Sequence, residues 1–142
     1  MRILFICRGN IGRSQMAEAF FRAMSNKNQA ASAGTHSRED GVEGTELGWG
    51  KWNTPDAMLE LGIDVSKNKS KQLTPEMTRD FDRIIVIMTK AESEILLPDY
   101  AKNSGKVELW EVEDGRYRDR QYTFEIRDLI KKRVEKLVKE IG

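Results

Sequence analysis

The sequence predicts an α/β fold in which a parallel sheet carries helices on both faces. Three observations lead to it. Short, nearly continuous apolar runs such as Ile3 to Cys7 and Ile84 to Met88 suit strands buried on both sides. Between such runs stand segments whose apolar residues recur at helical spacing. Strand and helix signals alternate along the chain, as parallel strands require, because each crossover between them takes a helix.

The first strand is Met1 to Cys7, ending at a glycine-containing turn. Ser14 to Met24 follows as a helix, with Met16, Ala17, Phe20, Phe21 and Met24 at core spacing and Glu18 and Arg22 left for solvent. Gln29 to Ala33, closed by Gly34, forms a second short strand. His36 to Asn53 is a long loop carrying four glycines together with Trp49 and Trp52. Thr54-Pro55 starts a short helix, as a capping residue followed by a proline at the first helical position, and Gly62 stops it. Ser66 to Ser70 is polar and basic. Thr74-Pro75-Glu76 marks a further helix start, ahead of a third strand at Arg83 to Met88 whose Ile-Ile-Val-Ile core is β-prone. Val107 to Val112 is a fourth strand. Tyr122 to Ile141 closes the chain as a long helix, with Phe124, Ile126, Leu129, Ile130, Val134, Leu137, Val138 and Ile141 on its apolar face.

Composition narrows the function. At 142 residues the chain is expected to form one domain, burying roughly two thirds of the surface its unfolded form exposes. Lys and Arg number 24 against 23 Asp and Glu, a net charge of +1 that gives no broad surface for nucleic acid. No apolar run exceeds five residues, against the about 20 of a membrane-spanning helix, so neither a membrane segment nor a secretory leader is expected. One Cys and one His cannot form an internal disulfide or a structural zinc site, and a reducing cytoplasm is the expected location. His36 reads as a solvated loop residue.

In open parallel sheets ligands bind beyond the carboxyl ends of the strands, near the point where strand order reverses. The loop after the first strand therefore matters most, and it holds the one cysteine: Cys7-Arg8-Gly9-Asn10-Ile11-Gly12-Arg13-Ser14. Gly and Asn tolerate left-handed backbone, so the loop can curl its N–H groups inward as an anion nest. The helix that follows brings unpaired N–H groups and a positive dipole end to the same place. Arg13 offers a planar fork for two phosphate oxygens, and Ser14 a hydroxyl for the sulfur. A small buried cysteine beside an ordinary turn is the plainer alternative. Thiol, curled loop, arginine and hydroxyl coincide at one sheet edge, which favours a site.

The C-x5-R-S loop directly after the first strand is followed by Gln15-Met16-Ala17-Glu18, and later by Ser32-Ala33-Gly34-Thr35. Further on come Gly62-Ile63-Asp64 leading to Lys71-Gln72-Leu73-Thr74, and Phe124 with Arg127-Asp128. In these motifs the chain resembles, over essentially its whole length, the low-molecular-weight protein tyrosine phosphatases and the related thiol-dependent arsenate reductases. The resemblance implies a flavodoxin-like three-layer sandwich around a four-stranded sheet of order 2-1-3-4. It also implies a monomer that hydrolyses a phosphotyrosine protein or a small aryl phosphate through a cysteinyl-phosphate, without metal or organic cofactor.

Carried over by motif, Cys7 is the nucleophile, Arg13 the phosphate clamp and Asp114 the general acid, with residues Arg8 to Ser14 forming the phosphate-binding loop. Asn10 is implied to be held in strained geometry by a hydrogen bond from Ser32, and Ser14 to support the sulfur. Glu113 and Asp119 lie close enough to Asp114 to compete for its role. Trp49 and Tyr117 are candidates for the substrate rim, although tryptophans in the glycine-rich loop could equally anchor it to the core. Four departures from the family pattern are expected to matter. Gly115 replaces the proline after the acid, so the acid loop should be looser. Arg8 places a charge after the nucleophile, where the family is usually neutral. Gly12 stands where a second loop cysteine is common, and Asn68 where a histidine braces the loop. Two other functions stay open: arsenate reduction with an external thiol, toward which Gln15 leans, and a non-catalytic phosphate-binding module.

Overall fold

The structure, a computed structural model, describes every residue except Tyr117. Four parallel strands form one sheet in the order β2-β1-β3-β4. Strand β1 is Arg2–Cys7, β2 Gln29–Gly34, β3 Arg83–Met88 and β4 Val107–Glu111. The helices are α1 (Arg13–Met24), α2 (Thr54–Leu59), α3 (Pro75–Asp80), α4 (Lys90–Leu96), α5 (Asp99–Lys102) and α6 (Arg120–Ile141), and a single 3-10 turn covers Leu47–Trp49. The flavodoxin-like order expected from the resemblance is the observed one.

Side chains of a strand point alternately to the two faces, and the core divides accordingly. Ile3, Phe5, Ile85 and Ile87 meet Phe20 and Phe21 of α1 and Ile126, Ile130, Val134 and Leu137 of α6. Leu4, Ile6, Ile84, Val86 and Met88 face the other way, onto Leu73, Phe81, Leu97 and Ala101. Phe5 sits at the centre of the first layer, with ring centroids 6.0 Å from Phe21 and 5.9 Å from Trp110. Each such buried side chain contributes on the order of 1.5–3 kcal/mol by leaving water.

Several elements depart from the sequence reading, each for a local reason. Thr54 lies inside α2 rather than capping it; Asn53 is the N-cap, and no side chain caps that end. On α6 the buried seam runs through Ile126, Ile130, Val134 and Leu137, and Leu129 falls on its flank, 56% exposed. Glu18, assigned to solvent, is buried against β2, where its carboxylate accepts a 2.6 Å hydrogen bond from Ser32. Strand β4 is an edge and largely exposed. Helices α4 and α5 have no counterpart in the reading, although Thr89-Lys-Ala-Glu92 forms a full capping box at the start of α4.

Among the described residues, no helix is long and apolar enough to cross a membrane. Strand β1 pairs with β2 on one side and β3 on the other, so its carboxyl end at Cys7 lies at the reversal of strand order.

Candidate active site

Cys7 is the last residue of β1, buried and paired in register with Gly34 of β2. The chain then turns through Arg8 to Gly12 into α1, whose N-cap is Gly12, with no side chain capping that end. The first N–H groups of a helix have no partner within it, so the loop and α1 together offer an anion several donors.

Asn10 holds the turn. It is the one described non-glycine residue with positive φ, at 58°, and is completely buried. Such backbone costs on the order of 1–3 kcal/mol and persists only where its surroundings enforce it. Here the side-chain amide uses all four of its hydrogen bonds. Its Oδ1 accepts from the Lys71 backbone N–H at 2.9 Å and from Gln15 Nε2 at 3.1 Å, while Nδ2 donates to Ser14 at 2.8 Å and Ser32 at 2.9 Å. The bond to Ser32 thus runs opposite to the expected direction, because Ser32 spends its own proton on Glu18.

The same logic orients Ser14. Its Oγ accepts from Asn10 and lies 2.9 Å from Cys7 Sγ, so its own proton is available to the sulfur. Two donor chains diverge from Asn10, one through Ser32 to the Glu18 carboxylate and one through Ser14 to Cys7. Among the described residues no buried side-chain polar atom lacks a partner.

Gly34 lets this loop lie against β2. A Cβ there would stand 2.6 Å from the Arg8 carbonyl oxygen and 2.8 Å from the Asn10 nitrogen, both backbone atoms with little room to yield. Gly34→Ala is therefore expected to displace the loop, weakening inhibition by inorganic phosphate and lowering stability by about 1–3 kcal/mol in a denaturant titration.

Arg13 is 4% exposed and firmly oriented. Its Nη1 donates to Glu92 and to the Val112 carbonyl oxygen, both at 2.9 Å, and its Nη2 to the other Glu92 oxygen at 3.1 Å. Burial opposes its charge, but Glu92 and the negative charges of Cys7 and Asp114 outweigh it and hold the guanidinium above its ordinary pKa. Among the described residues no hydrogen bond takes Nε–H, and Nη2 has Asp114 as its second charged neighbour; an edge carrying Nε–H and Nη2–H has the geometry of a bidentate phosphate contact. Glu92 is a site residue that the sequence reading missed. Burial would raise its carboxyl, yet the Arg13 and Thr89 hydrogen bonds keep it below the usual value.

A pocket opens over Cys7, with a volume of about 620 Å³ including its mouth. Gly9, Ile11, Gly12 and Arg13 of the loop after β1 line it, together with Asp114 to Arg116, and Trp52, Met16 and Ile126 give it an apolar wall. Asp114 Oδ2 stands 3.6 Å from Arg13 Nη2, and the side chain is 37% exposed.

The three competing carboxylates separate cleanly. Asp119 caps α6, accepting from the Tyr122 N–H at 2.9 Å, and Glu113 accepts from the Tyr122 hydroxyl. Of the three, only Asp114 lines the pocket. A Cβ at Gly115 would meet the tip of the Ile126 side chain at 2.8 Å, and that tip can turn aside.

Three other expectations change. Trp49 is 83% exposed and absent from the pocket wall, because burial of Leu47 in the same 3-10 turn directs it outward; Trp52 takes the rim position instead. Asn68 is exposed and reaches the loop only through Gln15, at 3.4 Å, whereas Ser70 braces it directly by donating to the Gly9 carbonyl at 2.7 Å. The Arg8 side chain turns away from the pocket and grips Asp40 with two hydrogen bonds, while its backbone stays in the loop. The rim candidate Tyr117 lies outside the described residues.

Comparison with known proteins bears on family and fold. The family model described as low molecular weight phosphotyrosine protein phosphatase matches residues 2–142. The glutaredoxin arsenate reductase of Synechocystis is 28% identical, over 99% of this chain and 98% of that one. The low molecular weight phosphotyrosine protein phosphatase of Schizosaccharomyces pombe is 33% identical, over 61% of this chain and 56% of that one. In fold, the chain is similar to Vibrio vulnificus Wzb in complex with benzylphosphonate, with a TM-score of 0.86 at 24% identity, over 98% of this chain and 97% of that one. With strand order and a match across nearly its full length in accord, the chain belongs to the low molecular weight phosphotyrosine protein phosphatase family.

Proposed function

We propose that the chain hydrolyses phosphotyrosine and other aryl phosphates through a covalent cysteinyl-phosphate at Cys7. The observation that carries the reading is the convergence of Cys7, Arg13 and Asp114 on one pocket with an apolar wall. The Cys7 thiolate attacks phosphorus in line with the departing aryl oxygen. Loop N–H groups and the open edge of Arg13 hold the three equatorial oxygens, whose charge is spread in a loose transition state. Asp114 gives its proton to the leaving phenolate. Water then attacks the cysteinyl-phosphate, Asp114 takes a proton from it, and the sulfur departs with a hydrogen bond from Ser14. Ile11, Trp52 and Ile126 suit an aryl ring, and Asp114 suits a leaving group that needs a proton.

The full-length likeness to an arsenate reductase favours a second reading, in which Cys7 attacks arsenate and external thiols supply both electrons. With one cysteine in the chain, an internal disulfide relay has no partner. A paired assay tests the choice: hydrolysis of phosphotyrosine in the presence of a chelator, and arsenate consumption with added thiol and glutaredoxin. Phosphotyrosine turnover without arsenate consumption is expected; the reverse would overturn the proposal.

A further inference from the structure

Asp40 lies outside every motif that marks the site, yet it joins the two loops that form it. Its Oδ2 accepts from Arg8 Nε at 3.0 Å and from Arg116 Nη1 at 3.3 Å, and its Oδ1 from Arg8 Nη2 at 3.1 Å. The Asp40 side chain is 12% exposed. Hydrogen bonds from Arg8 hold its carboxyl below the ordinary value in spite of partial burial, so it stays ionised between the two guanidiniums.

One end of this clasp is fixed. The His36 N–H donates to the Arg8 carbonyl and the Asp40 N–H to the His36 carbonyl, each at 2.8 Å. Ser37 and Ser70 share a hydrogen bond, and Ser70 holds Gly9. Asp40 is thereby tied to the phosphate loop through backbone. The other end is the acid loop. Asp114 Oδ1 accepts from the Arg116 N–H at 2.9 Å, so the carboxylate and Arg116 belong to one local turn. Strand β4 ends at Glu111 and α6 begins at Arg120, leaving that turn between two elements, with a glycine at position 115.

We propose that Asp40 is a positioning residue that, through Arg116, holds Asp114 over Cys7, doing by ion pairing what the departures at Arg8 and Gly115 would otherwise undo. Arg8 and Gly115 then read as one arrangement. Glycine leaves the acid loop without a rigid residue after Asp114, and Arg8 turns Asp40 into the anchor that the loop needs. Asp40 does not itself line the pocket, and Arg116 is its link to the acid loop. The inference rests on the aryl phosphatase reading above.

The test is kcat/KM for phosphotyrosine and for p-nitrophenyl phosphate, measured on the full chain. For Asp40→Asn the phosphotyrosine value should fall roughly tenfold, part of the about 10²–10⁴-fold a general acid supplies, and the p-nitrophenyl value by less than about twofold. Arg116→Gln, which opens the clasp from its other end, should give the same split. In an Asp114→Asn background Asp40→Asn should produce no further leaving-group dependence, because the group it positions is gone. Equal losses on the two substrates, or a split that persists without Asp114, would overturn the proposal. An unaltered chain that hydrolyses neither substrate would overturn the phosphatase reading and this inference together, whereas normal turnover by Asp40→Asn would overturn this inference alone.

Discussion

Cys7→Ser is expected to abolish turnover of aryl phosphates while the protein still binds inorganic phosphate or vanadate. A serine hydroxyl has no accessible anion near neutral pH, so the attack itself is lost, a change on the order of 10⁶-fold when another covalent enzyme loses its nucleophile. Binding rests on other groups. The loop N–H donors, the start of α1 and the Arg13 edge are unaffected, because Arg13 is held by Glu92 and the Val112 carbonyl rather than by the sulfur. Asn10 likewise keeps its four partners, since Ser14 still accepts from it. Isothermal titration with vanadate beside a phosphotyrosine assay reads both quantities. Near-parental hydrolysis by Cys7→Ser would exclude covalent catalysis at this residue, and loss of anion binding would mean that the thiol itself builds the nest.

The second large effect concerns Asp114 and depends on the leaving group. Asp114→Asn should lower kcat/KM for phosphotyrosine by about 10²–10⁴-fold, since its phenolate departs poorly without a proton, and should lower that for p-nitrophenyl phosphate far less. Glu113 and Asp119 supply the comparison. Glu113→Gln should leave the ratio of the two substrates unchanged. Asp119→Asn should cost at most a few tenths to about 1 kcal/mol of stability through the α6 cap, again with no change in ratio. If Asp119→Asn changes the ratio and Asp114→Asn does not, the proton donor is Asp119.

The parts of the molecule written in local pattern were readable in advance. The Ile-Leu-Phe-Ile and Ile-Ile-Val-Ile runs can hardly be anything but buried strands, and the spacing of Phe20, Phe21, Ile126, Ile130 and Val134 fixes which faces of α1 and α6 turn inward. The candidate site loop was legible because its chemistry is contiguous: thiol, glycines, asparagine, arginine and serine fall within eight residues. Strand order was not in the periodicity and came with the resemblance to a family.

What stayed hidden depends on contacts between distant segments. Glu92 meets Arg13 across 79 positions and Asp40 meets Arg116 across 76, and neither carboxylate differs in sequence from a solvated one. Glu18 looked like the polar face of α1 until Ser32 came to lie beside it. Trp49 and Trp52 are three residues apart in one glycine-rich loop, yet only Trp52 lines the pocket while Trp49 lies exposed. The Thr89-to-Glu92 capping box was a local signal that would have revealed α4, and with it the element that carries the partner of Arg13.

The central claim is that phosphate passes through a covalent bond to Cys7, and the Asp114→Asn variant offers its most direct test. With p-nitrophenyl phosphate the first step still proceeds, because that leaving group needs no proton, but the second step has lost the base that activates water. The phosphoenzyme should therefore accumulate. Acid quench during turnover, followed by peptide mass spectrometry, is expected to find the mass of one phosphoryl group on the peptide containing Cys7, and none in the same experiment with Cys7→Ala. Steady turnover by Asp114→Asn with no phosphoryl group on Cys7 at any quench time, or with the group on another residue, would contradict the account.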